Sequence, residues 1–145
     1  MAVFAENRKA HFNYEILETY EAGIELFGFE VKAVKAGMAS MPAAYAIVRD
    51  GEVYLLNVHI PPYQKNNTDT LYDPERTRRL LLKKKEIKEL ADQKKLTLVP
   101  LSMYSKGRRI KVELALARGK KLHDKRETIK KRDLDREMSR EYTDR

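Results

Sequence analysis

The stretch TLVPLSMYSKGRRIKVELALA, residues 97–117, decides the fold, because it has the pattern of two strands joined by a short basic turn. Both halves carry apolar side chains at alternate positions, the period of a strand that buries one face. These positions are Val99, Leu101 and Met103 in the first half and Ile110, Val112, Leu114 and Leu116 in the second. The stretch therefore predicts an antiparallel hairpin in which each set shares one face.

A second hairpin is predicted upstream, over Ala44–Arg49 and Glu52–Ile60. The intervening Asp50-Gly51 suits a type I′ turn, whose two central residues both need a positive φ. Pro61-Pro62 should end the second strand, because proline cannot donate to a strand ladder. The polar stretch Tyr63–Leu71 then predicts a loop.

The N-terminal part predicts one further strand. Residues 1–11 are polar and are expected to be flexible without a partner. Apolar side chains then alternate over Phe12–Tyr20, which predicts a strand with one buried face. Ala22-Gly23 is expected to bend the chain after that strand.

Two helices are predicted. Glu30–Ala36 reads as a two-turn helix closed by Gly37, although the alternating apolar residues around its start leave a strand as the alternative. Asp73-Pro74-Glu75 predicts the start of a longer helix, because aspartate can cap it and proline suits the first turn. That helix is expected to run to about Lys94.

Length and composition place these elements in one small domain of a 145-residue chain. About six antiparallel strands and two or three helices predict a closed β-barrel of the OB-fold type over residues 1–117.

The chain has no Cys, which excludes disulfides, Cys-type zinc sites and thiol nucleophiles. No apolar run approaches the roughly 20 residues of a membrane span, and the N-terminus lacks a signal-peptide pattern. A cytoplasmic protein without membrane contact is therefore expected.

The charge is unevenly distributed along the chain. The formal net charge is +8, yet residues 1–75 carry 6 Lys and Arg against 11 Asp and Glu, and residues 76–145 carry 24 against 11. A basic second half predicts a polyanionic partner, above all a nucleic acid.

Residues 118–145 hold 11 basic and 7 acidic residues with little apolar surface. They predict a tail that is disordered when free and helical when bound.

No motif for catalysis, metal binding or cofactor binding is found. The sequence contains no P-loop, no G-x-G-x-x-G and no G-x-S-x-G pattern. The three histidines, His11, His59 and His123, lie far apart and outside any metal-ligand spacing. An enzyme is therefore not expected, and neither is a metal or a cofactor.

Four basic clusters are candidates for phosphate contacts, and a solvated charged face is the alternative for each. They are the segment 7–12 with Arg8 and Lys9; the predicted helix with Arg76, Arg78, Arg79, Lys83, Lys84, Lys85 and Lys88; the turn with Lys106, Arg108, Arg109 and Lys111; and the segment 118–126. The last is the sharpest, because Gly119 permits a close backbone approach and two lysines follow it. His123 could stack on an unpaired base there.

Five sequence blocks, taken together, resemble the SsrA-binding protein (SmpB) family in order and spacing. The blocks are Asn7–Ala10, Tyr20–Ile24, Gly28–Lys32, Asp73–Leu82 and Lys111–Arg126. Asp50–Glu52 and Thr97–Leu101 also fit the family. The resemblance covers residues 6–135.

The resemblance implies an OB-like barrel that binds the tRNA-like domain of transfer-messenger RNA, one monomer per RNA. It also implies entry into the empty decoding site of a stalled ribosome, at the 16S rRNA of the small subunit, with the tail helical along the vacant mRNA channel. The resemblance places RNA contacts at Asn7, Glu21, Leu81, Lys111, Arg118, Gly119, Lys120 and Lys121. Arg8 and Lys9 of the first basic cluster are added to these RNA-binding positions. The decoding-site and tail positions are His123, Asp124, Lys125, Arg126, Lys130, Lys131 and Arg132.

Three functions are compatible with the composition. The first is the non-catalytic adaptor in trans-translation that the resemblance implies. The second is a constitutive rRNA-binding ribosomal protein with an OB-fold, which the basic charge supports nearly as well. The third is an RNA-processing enzyme with an OB module, for which the sequence offers no candidate site.

Overall fold

A computed structural model describes residues 2–63, 71–93 and 95–119 of the chain. This part contains seven strands and three short helices. The strands are β1 (Val3–Glu6), β2 (Tyr14–Ile24), β3 (Tyr45–Arg49), β4 (Glu52–Leu56), β5 (Arg78–Leu81), β6 (Thr97–Lys106) and β7 (Arg109–Gly119). The helices are α1 (Arg8–Asn13), α2 (Gly28–Lys35) and α3 (Lys84–Ala91). The predicted mainly-β fold with a few helices is confirmed.

The strands form one antiparallel sheet that closes on itself. Their order is β1-β6-β3-β4-β5-β2-β7, and an additional pairing between β6 and β7 closes the six strands from β6 to β7 into a ring, with β1 paired to β6 outside it. The ladder between β2 and β7 is long and extends from Tyr14 opposite Gly119 to Gly23 opposite Lys111. The seam between β3 and β6 is short, with Ala46 opposite Leu98. The closed ring confirms the predicted OB-like barrel.

The β3–β4 hairpin has the predicted turn. Asp50 has a φ of 51° and Gly51 a φ of 75°, which are the two positive values that a type I′ turn requires. The second strand ends at Leu56 and not at Ile60, because Asn57 also adopts a positive φ, 63°. That residue redirects the chain before it reaches the two prolines.

The β6–β7 hairpin is confirmed, but the single shared face on β6 is wrong. A register shift between Pro100 and Ser102 inserts one extra residue opposite β7. A bulge of this kind reverses the side-chain alternation beyond it. Met103 therefore packs in the main core inside the barrel, whereas Val99 and Leu101 pack with two β7 alanines in a second cluster outside it.

The N-terminal predictions need correction. Residues 1–11 are not uniformly flexible, because β1 pairs with β6 and Ala10 of α1 is buried in the second cluster. The predicted strand Phe12–Tyr20 corresponds to β2, which begins two residues later. Ala22-Gly23 does not bend the chain, since both residues remain paired with β7.

The shorter predicted helix is confirmed as α2, with Gly37 following at a φ of 76°.

The predicted helix from Asp73 to Lys94 is wrong over its first half. The longer helix shrinks to α3, and residues 78–81 form β5 between β4 and β2. Strand pairing prevails there because it buries Leu80 in the barrel.

Several predictions lie outside the described residues. They concern most of the loop over Tyr63–Leu71, Lys94, and the tail positions Lys120, Lys121, His123, Asp124, Lys125, Arg126, Lys130, Lys131 and Arg132. Of the segment assigned to the tail, Arg118 and Gly119 are described and belong to β7. None of the helices in the described ranges has the length and apolar composition that crossing a membrane requires.

Candidate nucleic-acid interface

Three of the sequence-predicted positions meet in one open hollow on the outside of the barrel. The hollow has a volume of about 500 Å³ and lies where β2, β5 and the β6–β7 turn approach each other. Glu21, Leu81 and Lys111 line it together with Lys106. Leu82, Lys83 and Glu86, from the segment around the start of α3, also line it. The fold thus gathers acidic, apolar and cationic side chains from four strands and the start of α3, although 90 residues separate Glu21 from Lys111.

The carboxylate of Glu21 is held by the β6–β7 hairpin. The Lys106 Nζ lies 3.2 Å from it, and the pair is exposed to solvent. The hydrogen bond from Lys106 lowers the pKa of Glu21, and a hydrogen bond from Tyr104 adds to this effect. Burial, followed by the contact with Glu21, raises the pKa of Tyr104 to about 12. Glu21 therefore stays ionised and presents an acceptor to any ligand in the hollow.

The apolar side of the hollow is formed by Leu81, which is 45% exposed. Leu81 is the register partner of Gly23 on β2. A Cβ at Gly23 would lie only 3.2 Å from the Cβ of Leu81, so the absence of a side chain permits this close pairing. An exposed leucine beside two lysines can pack against a sugar or a base while the lysines meet phosphates.

Arg118 and Gly119 lie at the other end of the same ladder. Gly119 is opposite Tyr14 and Lys111 is opposite Gly23, so the full length of the ladder separates these two sites. Seven residues of extended strand between Lys111 and Arg118 span roughly 23 Å. Arg118 is exposed and forms an ion pair with Glu15.

The first basic cluster divides into a buried and an exposed part. Asn7 is buried, its Nδ2 donates to the carbonyl of Pro100 at 3.0 Å, and its backbone N–H donates to Leu101 at 2.8 Å. Asn7 thereby attaches the start of α1 to β6. Arg8 and Lys9 are exposed and border a smaller hollow of about 270 Å³.

Two arginines of the second basic cluster are not available to phosphates, contrary to the sequence interpretation. Arg78 is fully buried and donates to Glu30 through Nε at 2.9 Å and Nη2 at 2.7 Å. Arg76 also pairs with Glu30, which in addition accepts from the Tyr72 hydroxyl at 2.9 Å. Glu30 and three groups from residues 72–78 thus form one network around the buried Glu30–Arg78 pair.

The Glu30 network keeps its carboxylate ionised. Burial alone would raise the pKa of Glu30, but hydrogen bonds from Arg76, the Phe27 backbone and Arg78 outweigh burial and lower it. No periodic pattern or motif indicated this pairing, because the partners lie 46 and 48 residues apart. Lys106, a phosphate candidate of the basic turn that the family resemblance did not include, also lines the hollow.

Comparison with known proteins agrees with this architecture. The family model described as SmpB protein matches residues 4–144. An SsrA-binding protein from Synechocystis sp. is 57% identical over 141 residues, covering 95% of this chain and 92% of the relative. The SsrA-binding protein of Gloeothece citriformis is 55% identical over 141 residues, covering 95% and 91%.

A solved structure described as "tmRNA-SmpB: a journey to the center of the bacterial ribosome" contains a similar chain. It superposes with a TM-score of 0.68 at 49% sequence identity and covers 84% of this chain and 87% of that one. The resemblance that the sequence blocks indicated is therefore confirmed over nearly the whole length. The chain belongs to the SmpB family of SsrA-binding proteins.

Proposed function

We propose that this chain is an RNA-binding adaptor in trans-translation, which binds transfer-messenger RNA and acts with it on stalled ribosomes. The family match over residues 4–144 carries the proposal. The relatives are named for SsrA binding, and the similar solved chain belongs to a tmRNA-SmpB ribosome complex. A constitutive ribosomal protein is the less favoured function, because neither name describes one.

The hollow around Glu21 is the proposed contact with the tRNA-like domain of that RNA. Lys106 and Lys111 supply cations for phosphates, and Leu81 supplies an apolar surface. Glu21 accepts a hydrogen bond from a base amino group or a 2′-hydroxyl. The exposed Arg118, roughly 23 Å away along β7, extends the footprint towards the tail.

The tail completes the proposed adaptor. Its positions His123, Asp124, Lys125 and Arg126 would enter the empty decoding site, and the following basic residues would occupy the mRNA channel. Binding of this kind requires no chemical step, so we assign the chain no enzymatic role. The place of action is the cytoplasm, where ribosomes translate.

Binding measurements with the full chain test this function. We expect tighter binding to the tRNA-like domain than to a generic structured RNA of equal length. The affinity should fall steeply with salt, because lysine and arginine displace counterions from phosphates. Equal affinity for the two RNAs across the salt range would contradict the adaptor.

Two matched variants locate the surface. Lys111→Gln removes a cation from the hollow and should weaken binding and reduce the salt slope by about 1. Lys88→Gln makes the same charge change on the exposed side of α3, away from the hollow, and should leave the RNA affinity and the salt slope nearly unchanged. Equal effects of the two variants would move the RNA-binding surface elsewhere.

A further inference from the structure

A second hollow lies on the other side of Glu21 and differs in chemistry from the first. It has a volume of about 510 Å³ and opens on the outer face of β6, β7 and β2. Glu21 and Lys106 border both hollows. The lining that belongs to the second hollow alone includes Val3, Thr19, Ser102, Tyr104 and Glu113. An aromatic ring and an apolar side chain thus adjoin a second carboxylate in a space large enough for a nucleobase.

The second carboxylate has capacity for a ligand that donates hydrogen bonds. Glu113 is half-buried on β7 and accepts from the Ser102 hydroxyl at 3.3 Å. An ionised carboxylate offers about four lone-pair sites, so one long hydrogen bond leaves most of its accepting capacity available. Glu113 also lies directly opposite Glu21 in the β2–β7 register. Two adjacent carboxylates repel a phosphate, and the part of an RNA that suits them is a donor-bearing base edge.

We propose that this hollow holds one unpaired guanine of the bound RNA, with Glu113 accepting from its N1–H and its 2-amino group. The proposal rests on the RNA-binding function proposed above. Guanine is the base with two adjacent donors on its Watson–Crick edge, which match the two oxygens of a carboxylate. The base lies against the ring of Tyr104, as unpaired RNA bases commonly do on aromatic side chains. Lys106, at the border of the hollow, is placed for the phosphate of the same nucleotide.

The sign of a charge-neutralising substitution distinguishes base recognition from electrostatics. If Glu113 only repelled the RNA, Glu113→Gln would strengthen binding. If it reads guanine, the same variant should bind the tRNA-like domain about tenfold more weakly, because the glutamine amide replaces one acceptor by a donor. Glu75→Gln makes an equal charge change at an exposed side chain that lines neither hollow, and it should not weaken binding. Equal urea midpoints for both variants and the parent chain would establish that folding is intact.

Inosine substitution tests the identity of the base. Each unpaired guanosine of the tRNA-like domain is replaced in turn by inosine, which lacks the 2-amino group, and binding to the full chain is measured. At one position, inosine should weaken binding to the parent chain about tenfold and should weaken binding to Glu113→Gln no further.

Three results would overturn the guanine site: unchanged or tighter binding by Glu113→Gln, inosine effects that are the same in both proteins, or an effect of Glu113→Gln on ribosome binding alone. The last result would indicate a basic side chain of a protein partner in the hollow. Failure of the parent chain to prefer the tRNA-like domain over generic RNA would instead contradict the adaptor function itself.

Discussion

Glu30 and Arg78 form a buried ion pair that joins α2 to β5. Both side chains have no exposed surface, and Arg78 also donates to the carbonyl of Val58 at 2.8 Å. Removing one charge leaves the other buried without its counterion, which costs about 3–5 kcal/mol. We therefore expect Glu30→Gln to lower the free energy of unfolding in urea by roughly this amount. Glu25→Gln, which disrupts the exposed pair with Arg79, should cost at most about 1 kcal/mol.

Glu30 should also make the free energy of unfolding depend on pH. Hydrogen bonds lower the pKa of Glu30 in the folded state, so the folded chain binds its proton less readily than the unfolded chain does. The stabilisation is complete above the unfolded pKa, near pH 4, and is lost as the pH falls further. Urea unfolding between pH 7 and pH 3 should show a steeper loss below about pH 4 for the parent chain than for Glu30→Gln. Parallel curves would contradict this assignment.

Arg78 also shows why the sequence could not predict which basic side chains lie on the surface. Seven basic residues between positions 76 and 88 look alike in a sequence. Only the fold reveals that Arg78 points inward to a glutamate 48 residues away while Lys83, Lys84 and Lys85 remain exposed. Charge counting locates a basic region, but long-range pairing decides which charges are free to meet a ligand.

Among the elements, the β3–β4 hairpin depends on the geometry of its turn. Gly51 has a φ of 75°, in the region where a side chain is strained. We expect Gly51→Ala to destabilise the chain by about 1 kcal/mol in urea unfolding, because alanine disfavours that conformation. Gly28→Ala is the matched control, since Gly28 opens α2 with nothing within 4 Å of an added Cβ. That variant should be neutral or slightly stabilising, and equal losses from both would refute the argument from the turn.

Elements fixed by neighbouring residues were predictable, and those fixed by distant ones were not. Asp50-Gly51 and the alternation along Ile110–Leu116 encode their hairpins locally, and both hairpins form. In contrast, residues 78–81 follow a good helix start, yet they pair with β4 and β2 because the barrel needs a strand there. The bulge near Leu101 was equally invisible, since one inserted residue leaves no compositional trace.

For the whole molecule, the family blocks predicted which residues form the interface, and the closed barrel shows how those positions are distributed. Glu21, Leu81 and Lys111 share one hollow, whereas Arg118 lies at the far end of the β2–β7 ladder. Asn7 is buried and joins α1 to β6. The barrel thus holds the proposed RNA surface at one end of the ladder, and β7 ends at Gly119 at the other, where the tail sequence follows.

This separation predicts that RNA binding and ribosome function can be uncoupled. A chain ending at Lys121 loses 8 basic and 7 acidic residues, so only +1 of the net charge of +8 is removed. Because counterion release scales with the cations that meet phosphates, its affinity for the tRNA-like domain should stay close to that of the full chain. The same truncation removes His123 and the basic positions beyond it, and it should abolish tagging of stalled peptides in a reconstituted translation reaction.

As a control, Lys111→Gln in the full chain should weaken RNA binding while keeping the tail, so added RNA should restore tagging. Normal tagging by the truncated chain, or loss of its RNA binding, would show that barrel and tail do not divide the work in this way.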